Sequence, residues 1–529
     1  MFKKRRGAGF SLSRPVAHAS TLSDDPGAAC ATLTFMRILL LTGAAFFLLL
    51  PTRATAQSGA ASGSFTVSPG TRDAARQLIG DSLSNGKAYQ YDEYLADMIG
   101  PRLTGSSNYM RAAEWAVQQF KELGLSNVHT EEWTIPATWE PDGPAVGHII
   151  KPVDHQLHIY SMGWSPSTPS KGITAEVVYV SSFAPEAMDA QKAKLAGAIA
   201  LVDPSSYGEK PTLEKILGGY AHLLTLSPAA IFTTGIVNGA ESLGALNFSG
   251  MISSAPVAQI GREDSSLMRR LLEHGPVTAQ FSMTNSIRKD VKIPNVIAEI
   301  PGSELPIQVV IVGAHLDSWQ PGTGAQDNGT GVASVLEAAR AINALNRAPR
   351  RTIRFILFGG EEEGLVGSNA YVRQHMAELP HIDAILITDS GSEPAKGWSL
   401  VGRDDEKGAV AGLKPLLAGL GADGIDLDAQ ALLLSDHAPF DVLGVPSLVL
   451  WTEMTKYMTL HHKASDTFDS VVEKDLAQGA AVTTVTAYAI ADSKGPFAAH
   501  LSPAEVQTML QKAGKLDGYN YEKATGTLP

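Results

Sequence analysis

Cysteine is almost missing from this chain. Cys30 is the single one among 529 residues, and it falls in an N-terminal stretch that reads as a leader. A disulfide framework, a cysteine-ligated zinc and a cysteine nucleophile are therefore all excluded for the mature protein. Charge is sparse as well, at 18% Asp, Glu, Lys and Arg, which argues against a long coiled coil or an acidic disordered domain. A basic face is also lacking. The formal charge is −12, so nothing resembles a nucleic-acid footprint. Nor is there a long apolar run: the longest, 38–50, is thirteen residues, short of the roughly 20 a membrane-spanning helix needs. No stable transmembrane anchor is expected.

That run instead fits the core of a signal peptide. Arg37 precedes it, Pro51 follows, and Ala54-Thr55-Ala56 before Gln57 is a small-x-small cleavage site. Met36-Arg37 begins a complete signal by itself, so translation is expected to start at Met36; otherwise Lys3-Lys4-Arg5-Arg6 belongs to an extended leader. Residues 1–56 hold seven Lys/Arg and two Asp, a net +5, so the mature chain carries −12 − 5 = −17. An exported protein, periplasmic or extracellular, follows.

The hydrophobic content of 44% supports a substantial core in a chain of this length. Residues 57–75, rich in Ala, Gly and Ser, read as a mobile start. The stretch 76–126 carries helical periodicity, with Ala112, Ala113, Ala116, Val117, Phe120 and Leu123 on one stripe. The loop Gly100 to Ser106 is either a connector or part of a site rim. Near 150 the character changes to short β-rich stretches at 175–180, 198–202 and 230–232, separated by Pro, Gly and Ser. Its His and acidic residues fall in no compact ligand spacing, so 150–290 is expected to be an inserted, non-catalytic domain. After Pro294, apolar strands at 308–312, 352–358, 382–388 and 445–450 alternate with helices at 331–345, 367–375 and 477–490. This grammar predicts an α/β fold with a doubly wound, mostly parallel sheet covered on both faces. The expected organisation is a leader at 1–56, the first part of the main domain at 57–149, the insertion at 150–290, and the catalytic part with a tail at 291–529.

Ligands in such a sheet bind beyond the carboxyl ends of the strands. Three consecutive strands here run into His315 and Asp317, into Glu361-Glu362-Glu363, and into Asp389. One charged residue at a strand end is unremarkable, but three in succession point to metal chemistry. Zinc accepts imidazole nitrogen and carboxylate oxygen, and a pair of zinc ions needs a shared anionic bridge. Asp327, in the glycine-dense loop Gly322-Thr323-Gly324-Ala325-Gln326-Asp327-Asn328-Gly329, suits that role because the backbone there can approach closely. The remaining imidazole comes from His461 or His462. Asp317, two residues beyond His315, is placed to accept a ring proton and orient a ligand.

His315-x-Asp317, Asp327, Glu361-Glu362-x-Gly364-Leu365-x-Gly367-Ser368, Asp389 and His462-x-x-x-Asp466-Thr467 together resemble peptidase family M28, whose members are di-zinc peptidases. The likeness covers nearly the whole mature chain. It implies that His315 and Asp389 hold one zinc, that Glu362 and His462 hold the other, that Asp327 bridges the two, and that Glu361 is the general base. Gly172-Ile173-Thr174-Ala175-Glu176-Val177 resembles the protease-associated-like insertion of the family's carboxypeptidase Q branch. Glu363-Gly364-Leu365 looks more like the family's aminopeptidases, and Lys463 replaces a residue that is small in many members.

The implied activity is zinc-dependent exopeptidase action on peptides, with a slight preference for an aminopeptidase and a carboxypeptidase or dipeptidase as the alternative. Other chemistries fit less well. There is no G-x-S-x-G elbow for a serine hydrolase, and the glycine loop lacks both dinucleotide and Walker patterns. A metal-free binding ectodomain should have lost a ligand or the base, yet all six positions are filled. Arg102, Arg403 and Lys463 are candidate cations for a substrate carboxylate, each otherwise a solvated surface residue. Trp319 and Tyr457 are either substrate contacts or core. Ser435 to Phe440 is expected to form a loop near the substrate pocket, and a sheet face or edge leaves room for a homodimer.

Overall fold

The structure is a computed structural model that describes residues 65–209, 213–235 and 250–529. The leader, with Cys30, Met36 and the 38–50 run, lies outside the described residues.

Two eight-stranded mixed sheets organise the chain. The first runs in the spatial order Ser126–Pro141, Asn285–Ile300, Arg351–Phe358, Leu305–His315, Ile382–Ile387, Ser447–Trp451, Gly397–Ser399, Gly424–Asp426. Its middle, from Arg351–Phe358 to Ser447–Trp451, is parallel. The flanking pairings that meet this middle are antiparallel, and so is the long ribbon of Ser126–Pro141 with Asn285–Ile300.

Strand alternation divides the middle strands between two cores. Val310, Val312, Ile353, Phe355, Leu357 and Leu386 face one cluster, while Val309, Ile311, Ile356, Phe358, Ile385 and Ile387 face another. Successive side chains of a strand point to opposite faces, so a continuous β-branched run is what a sheet buried on both sides requires. Helices Pro69–Asn85, Ser107–Glu122, Thr330–Ala344 and Glu473–Ala491 supply the first cluster, and Val366–Gln374 the second. Burying each large apolar side chain contributes about 1.5–3 kcal/mol, so this packing fixes the strand ends rigidly. The first two of these helices start with serine caps, where Ser68 accepts from the Thr71 amide and Ser106 from the Tyr109 amide.

The second sheet uses strands between Val146 and Ser282, in the order Val146–Lys151, Thr278–Ser282, Ile173–Tyr179, Ile199–Leu201, Ala230–Thr233, Val257–Ile260, Ile159–Ser161, with His155–Gln156 beyond the first edge. Ile173–Tyr179 through Val257–Ile260 are parallel. The segment also contains helices, among them Leu213–Thr225 and Arg262–Leu272, so it is α/β in its own right. Its strands are legible in the sequence; its helices are not. Among the described residues no helix is long and apolar enough to cross a membrane.

Candidate metal centre

Three parallel strands deliver their ends to one place. Leu305–His315 ends on His315, the turn after Arg351–Phe358 carries Glu361 and Glu362, and Asp389 follows Ile382–Ile387. The fourth contribution is the loop before helix Thr330–Ala344, which brings in Asp327. Glycine makes that loop possible: Gly324 sits at φ +64°, and a Cβ there would lie 2.3 Å from Cβ of Ser318. Gly331 likewise presses on the carbonyl of Thr388, which a Cβ would meet at 2.3 Å.

His315 Nε2 lies 3.3 Å from Asp327 Oδ1 and 3.4 Å from Asp389 Oδ1. His462 Nε2 lies 3.0 Å from Glu362 Oε2 and 3.4 Å from Asp327 Oδ2. Asp327 thus turns one oxygen to each of two ligand groups. His462 has φ +56°, a backbone state that bulky residues rarely adopt and that is often found at functional sites. His461 also approaches Asp327 Oδ2, at 3.5 Å, and stacks on His462 with ring centroids 3.7 Å apart.

The charge balance is one-sided. Asp327, Glu361, Glu362 and Asp389 face three imidazoles, and among the described residues none of the four forms an ion pair with Lys or Arg. Asp327 Oδ2, Glu362 Oε1 and Asp389 Oδ1 are buried without a hydrogen-bond partner. Unpaired buried carboxylates cost several kcal/mol each, and the side chains respond. Burial pushes the Glu361 and Glu362 carboxyls well above their usual range, with neighbouring carboxylates adding to the effect. Burial alone would lower His315, but the Asp389 and Glu361 charges reverse this and raise it well above an ordinary histidine. Asp327 is held low: the His315 hydrogen bond and the nearby imidazoles overcome the effect of its burial. A donor set of nitrogen and carboxylate oxygen with orphaned buried oxygens and, among the described residues, no Lys or Arg partner fits divalent metal.

A surrounding layer fixes these groups. Asp317 is expected to accept the other ring proton of His315 or that of a neighbouring ligand; in the structure His315 Nδ1 faces the Asp317 backbone carbonyl at 3.0 Å, with the carboxylate 3.8 Å away. The Asp317 carboxylate instead accepts from Thr104 Oγ1 at 2.7 Å and from the backbone amides of Glu361 and Glu362 at 3.4 and 3.2 Å. It therefore holds the turn that presents both glutamates. Asp466 plays the matching part for the bridge loop, accepting from the amides of Gln326 and Asp327 at 2.7 and 3.1 Å. Ser435 donates to Asp389 Oδ2 at 2.7 Å, which brings the Ser435 loop to the site. Thr104 was missed at the sequence level. Its only signal was a hydroxyl in the loop already suspected of lying at a rim.

Two of the candidate cations are not solvated. Arg102 is fully buried and donates to the carbonyls of Leu316, Gly100, Thr323 and Gly324, so it braces the bridge loop. Arg403 is also fully buried, paired with Asp405 and donating to the carbonyls of Val445 and Ala499. Lys463 borders a cleft with Trp319, Asp327, His462 and Asp466, but its ammonium donates to the Thr459 carbonyl at 2.8 Å. Trp319 and Tyr457 are both buried, and Trp319 meets His462 edge-on, ring centroids 6.2 Å apart.

The family model for peptidase family M28 matches residues 295–487, the stretch that carries every candidate metal ligand and Glu361. Carboxypeptidase Q of Rattus norvegicus is 31% identical over 417 residues, covering 77% of this chain and 85% of that protein. The chain belongs to peptidase family M28. This M28 chain is also similar to Aminopeptidase YwaD of Bacillus subtilis, 26% identical over 435 residues, 77% of this chain and 86% of that one. Among solved structures, a peptidase M28 precursor from Shewanella amazonensis superposes with a TM-score of 0.71 at 29% identity, covering 82% of this chain and 99% of that one.

Proposed function

We propose that this M28 peptidase is an exported di-zinc exopeptidase that hydrolyses the peptide bond next to a free terminus. One observation carries the reading: Asp327 presents its two carboxylate oxygens to two separate ligand groups. His315 and Asp389 would hold one ion, Glu362 and His462 the other, and Asp327 both. Bound there, zinc supplies Lewis acidity to the scissile carbonyl and to the attacking water.

The chain's own groups do the rest. Glu361 is the most open of the three consecutive glutamates and serves as general base, taking the proton of the attacking water and returning it to the leaving amine. Asp317 keeps Glu361 and Glu362 in register through their amides, and Asp466 does the same for Asp327. Residues 150–290 form, in this reading, an inserted protease-associated-like domain that contributes no ligands.

Aminopeptidase action is favoured. A carboxypeptidase needs a cation for the terminal carboxylate, whereas Arg102 and Arg403 are committed to backbone carbonyls and carboxylates, and Lys463 to its own loop. Carboxypeptidase action remains the second reading, favoured by the extent of the match to carboxypeptidase Q. Zinc-loaded protein assayed on matched peptides with free, N-blocked or C-amidated ends separates the two. Cleavage of free and C-amidated peptides, but not N-blocked ones, is expected. Cleavage of N-blocked but not C-amidated peptides reverses the direction, and no cleavage of any peptide with both metals bound overturns the exopeptidase reading.

A further inference from the structure

His315 and His462 are held in different ways. A metal-bound imidazole is normally fixed by a hydrogen bond at its other ring nitrogen. His315 has one, with Nδ1 meeting the Asp317 carbonyl at 3.0 Å. For His462, Nε2 faces Glu362 and Asp327, and Nδ1 has no hydrogen-bond partner among the described residues. Packing fixes this ring instead. His461 stacks on it with the planes at 21°, and Trp319 meets it edge-on at 72°. His461 is itself 33% exposed, whereas Trp319 is buried, so the indole is the firmer support. The His462 backbone, at φ +56°, is in a state that persists only where the surroundings impose it.

Trp319 is braced in turn from the segment 150–290. Its indole meets that of Trp164 edge-on, ring centroids 6.3 Å apart and planes at 82°, within the range in which aromatic pairs attract. Trp164 is fully buried, and its indole N–H donates to the Ala137 carbonyl at 2.7 Å. The next residue is pinned as well: the Ser165 carbonyl accepts from the Trp139 indole at 2.7 Å and from Asn285 Nδ2 at 3.0 Å. A run of three rings, His462, Trp319 and Trp164, thus joins a candidate metal ligand to a segment that supplies none. Trp319 is tied to the other half of the centre too, four residues after His315 on a stretch where the Leu316 amide donates to the Phe358 carbonyl at 2.7 Å.

We propose that Trp319 is a positioning residue for His462, and that the inserted segment, through Trp164, thereby sets the affinity for the zinc ion that Glu362 and His462 hold. The inference rests on the di-zinc reading above. Without the indole the His462 ring is free to turn about its side-chain bonds, and the ion has to order it on binding, which costs affinity. His315, fixed by its own hydrogen bond, keeps its ion.

The test is a chelator-competition titration of zinc on the full chain and on Trp319→Leu, Trp319→Phe and Trp164→Leu. Trp319→Leu should weaken one of the two ions by about 10–100-fold and leave the other unchanged. Trp319→Phe, which keeps an aromatic edge, should recover most of that loss, and Trp164→Leu should weaken the same ion by less. Unchanged binding of both ions in Trp319→Leu, or an equal loss of both, overturns the positioning role; normal binding in Trp164→Leu removes the inserted segment from it. A second readout needs neither zinc nor the leucine variants. In zinc-free protein with isotope-labelled histidine, the carbon-bound ring protons of His462, assigned with His462→Asn, should be displaced by the indole ring current, and the displacement should shrink in Trp319→Phe. Should the wild-type chain bind fewer than two zinc ions, the di-zinc reading falls; then, or if the leucine variants do not fold, this signal alone judges the positioning. A displacement that shrinks sustains it, and a signal that is undisplaced or unchanged in the variant overturns it.

Discussion

The two sheets share a grammar, parallel strands alternating with helices, but they treat their strand-end carboxylates differently. In the second sheet Asp203 follows Ile199–Leu201 and is neutralised within the protein. Its Oδ2 accepts from Arg269 at 2.8 Å, and its Oδ1 accepts from Tyr179 OH and the Ser205 amide. In the first sheet Asp389 and Glu362 occupy comparable positions with no Arg or Lys partner, each leaving an oxygen orphaned. A carboxylate at a strand end is therefore not in itself a sign of chemistry. The sign is a strand-end carboxylate whose charge the fold declines to balance, because burial then demands an ion from outside.

The largest effect expected from breaking that imbalance comes at the base. Glu361→Gln removes the proton acceptor and adds no positive charge, so kcat should fall by about 10²–10⁴, with zinc content by atomic absorption unchanged. Retained turnover would show that another group accepts the proton. Next comes the bridge. Asp327→Asn keeps the shape but removes the one charge turned to both ligand groups, so zinc should be lost from the purified protein and activity with it. The thermal shift on adding zinc to chelator-treated protein should shrink correspondingly, since a ligand that binds only the native state stabilises it in proportion to its affinity. A smaller loss is expected for Asp466→Asn. Its two bonds go to backbone amides, so about 10–100-fold in zinc affinity should go while the maximal rate at saturating zinc largely survives. A variant that bound zinc normally would remove Asp466 from the support of the bridge.

The first sheet's site was largely legible because strand periodicity fixes where strands end, and His315, Glu361, Glu362 and Asp389 all stand at such ends. Asp327 was legible through its glycines. The long ribbon Ser126–Pro141 with Asn285–Ile300 was not: Pro136 and Pro294 interrupt it, and it carries the exposed Glu132, Lys289 and Asp290 and the half-buried Glu131, so it shows no clean apolar alternation. Arg102 and Arg403 read in the sequence as candidate cations for a substrate carboxylate or, by default, as solvated residues, because a lone guanidinium usually is. What buries Arg102 is carbonyl oxygen from residues 316, 323 and 324, more than two hundred positions away, and no local spacing encodes that. Thr104 was missed for the same reason. Its partner Asp317 is adjacent only after folding.

The smallest effect sharpens the comparison from the other side. If Asp203 is purely structural, removing it should touch stability alone. Asp203 caps the short helix Pro204–Tyr207, with a reciprocal bond between the Ser206 side chain and its own amide, and such caps are worth about 1 kcal/mol. Its ion pair adds little, since Arg269 is 44% exposed and solvent screens pairs of that kind to about 0–1 kcal/mol. Asp203→Ala should therefore lower stability by about 1–2 kcal/mol in a denaturant titration, and Arg269→Met by less. Neither should change zinc content or dipeptide turnover. A drop in turnover without a drop in stability would mean that the second sheet reaches the metal centre through its own strand ends, and the contrast between the two sheets would fail.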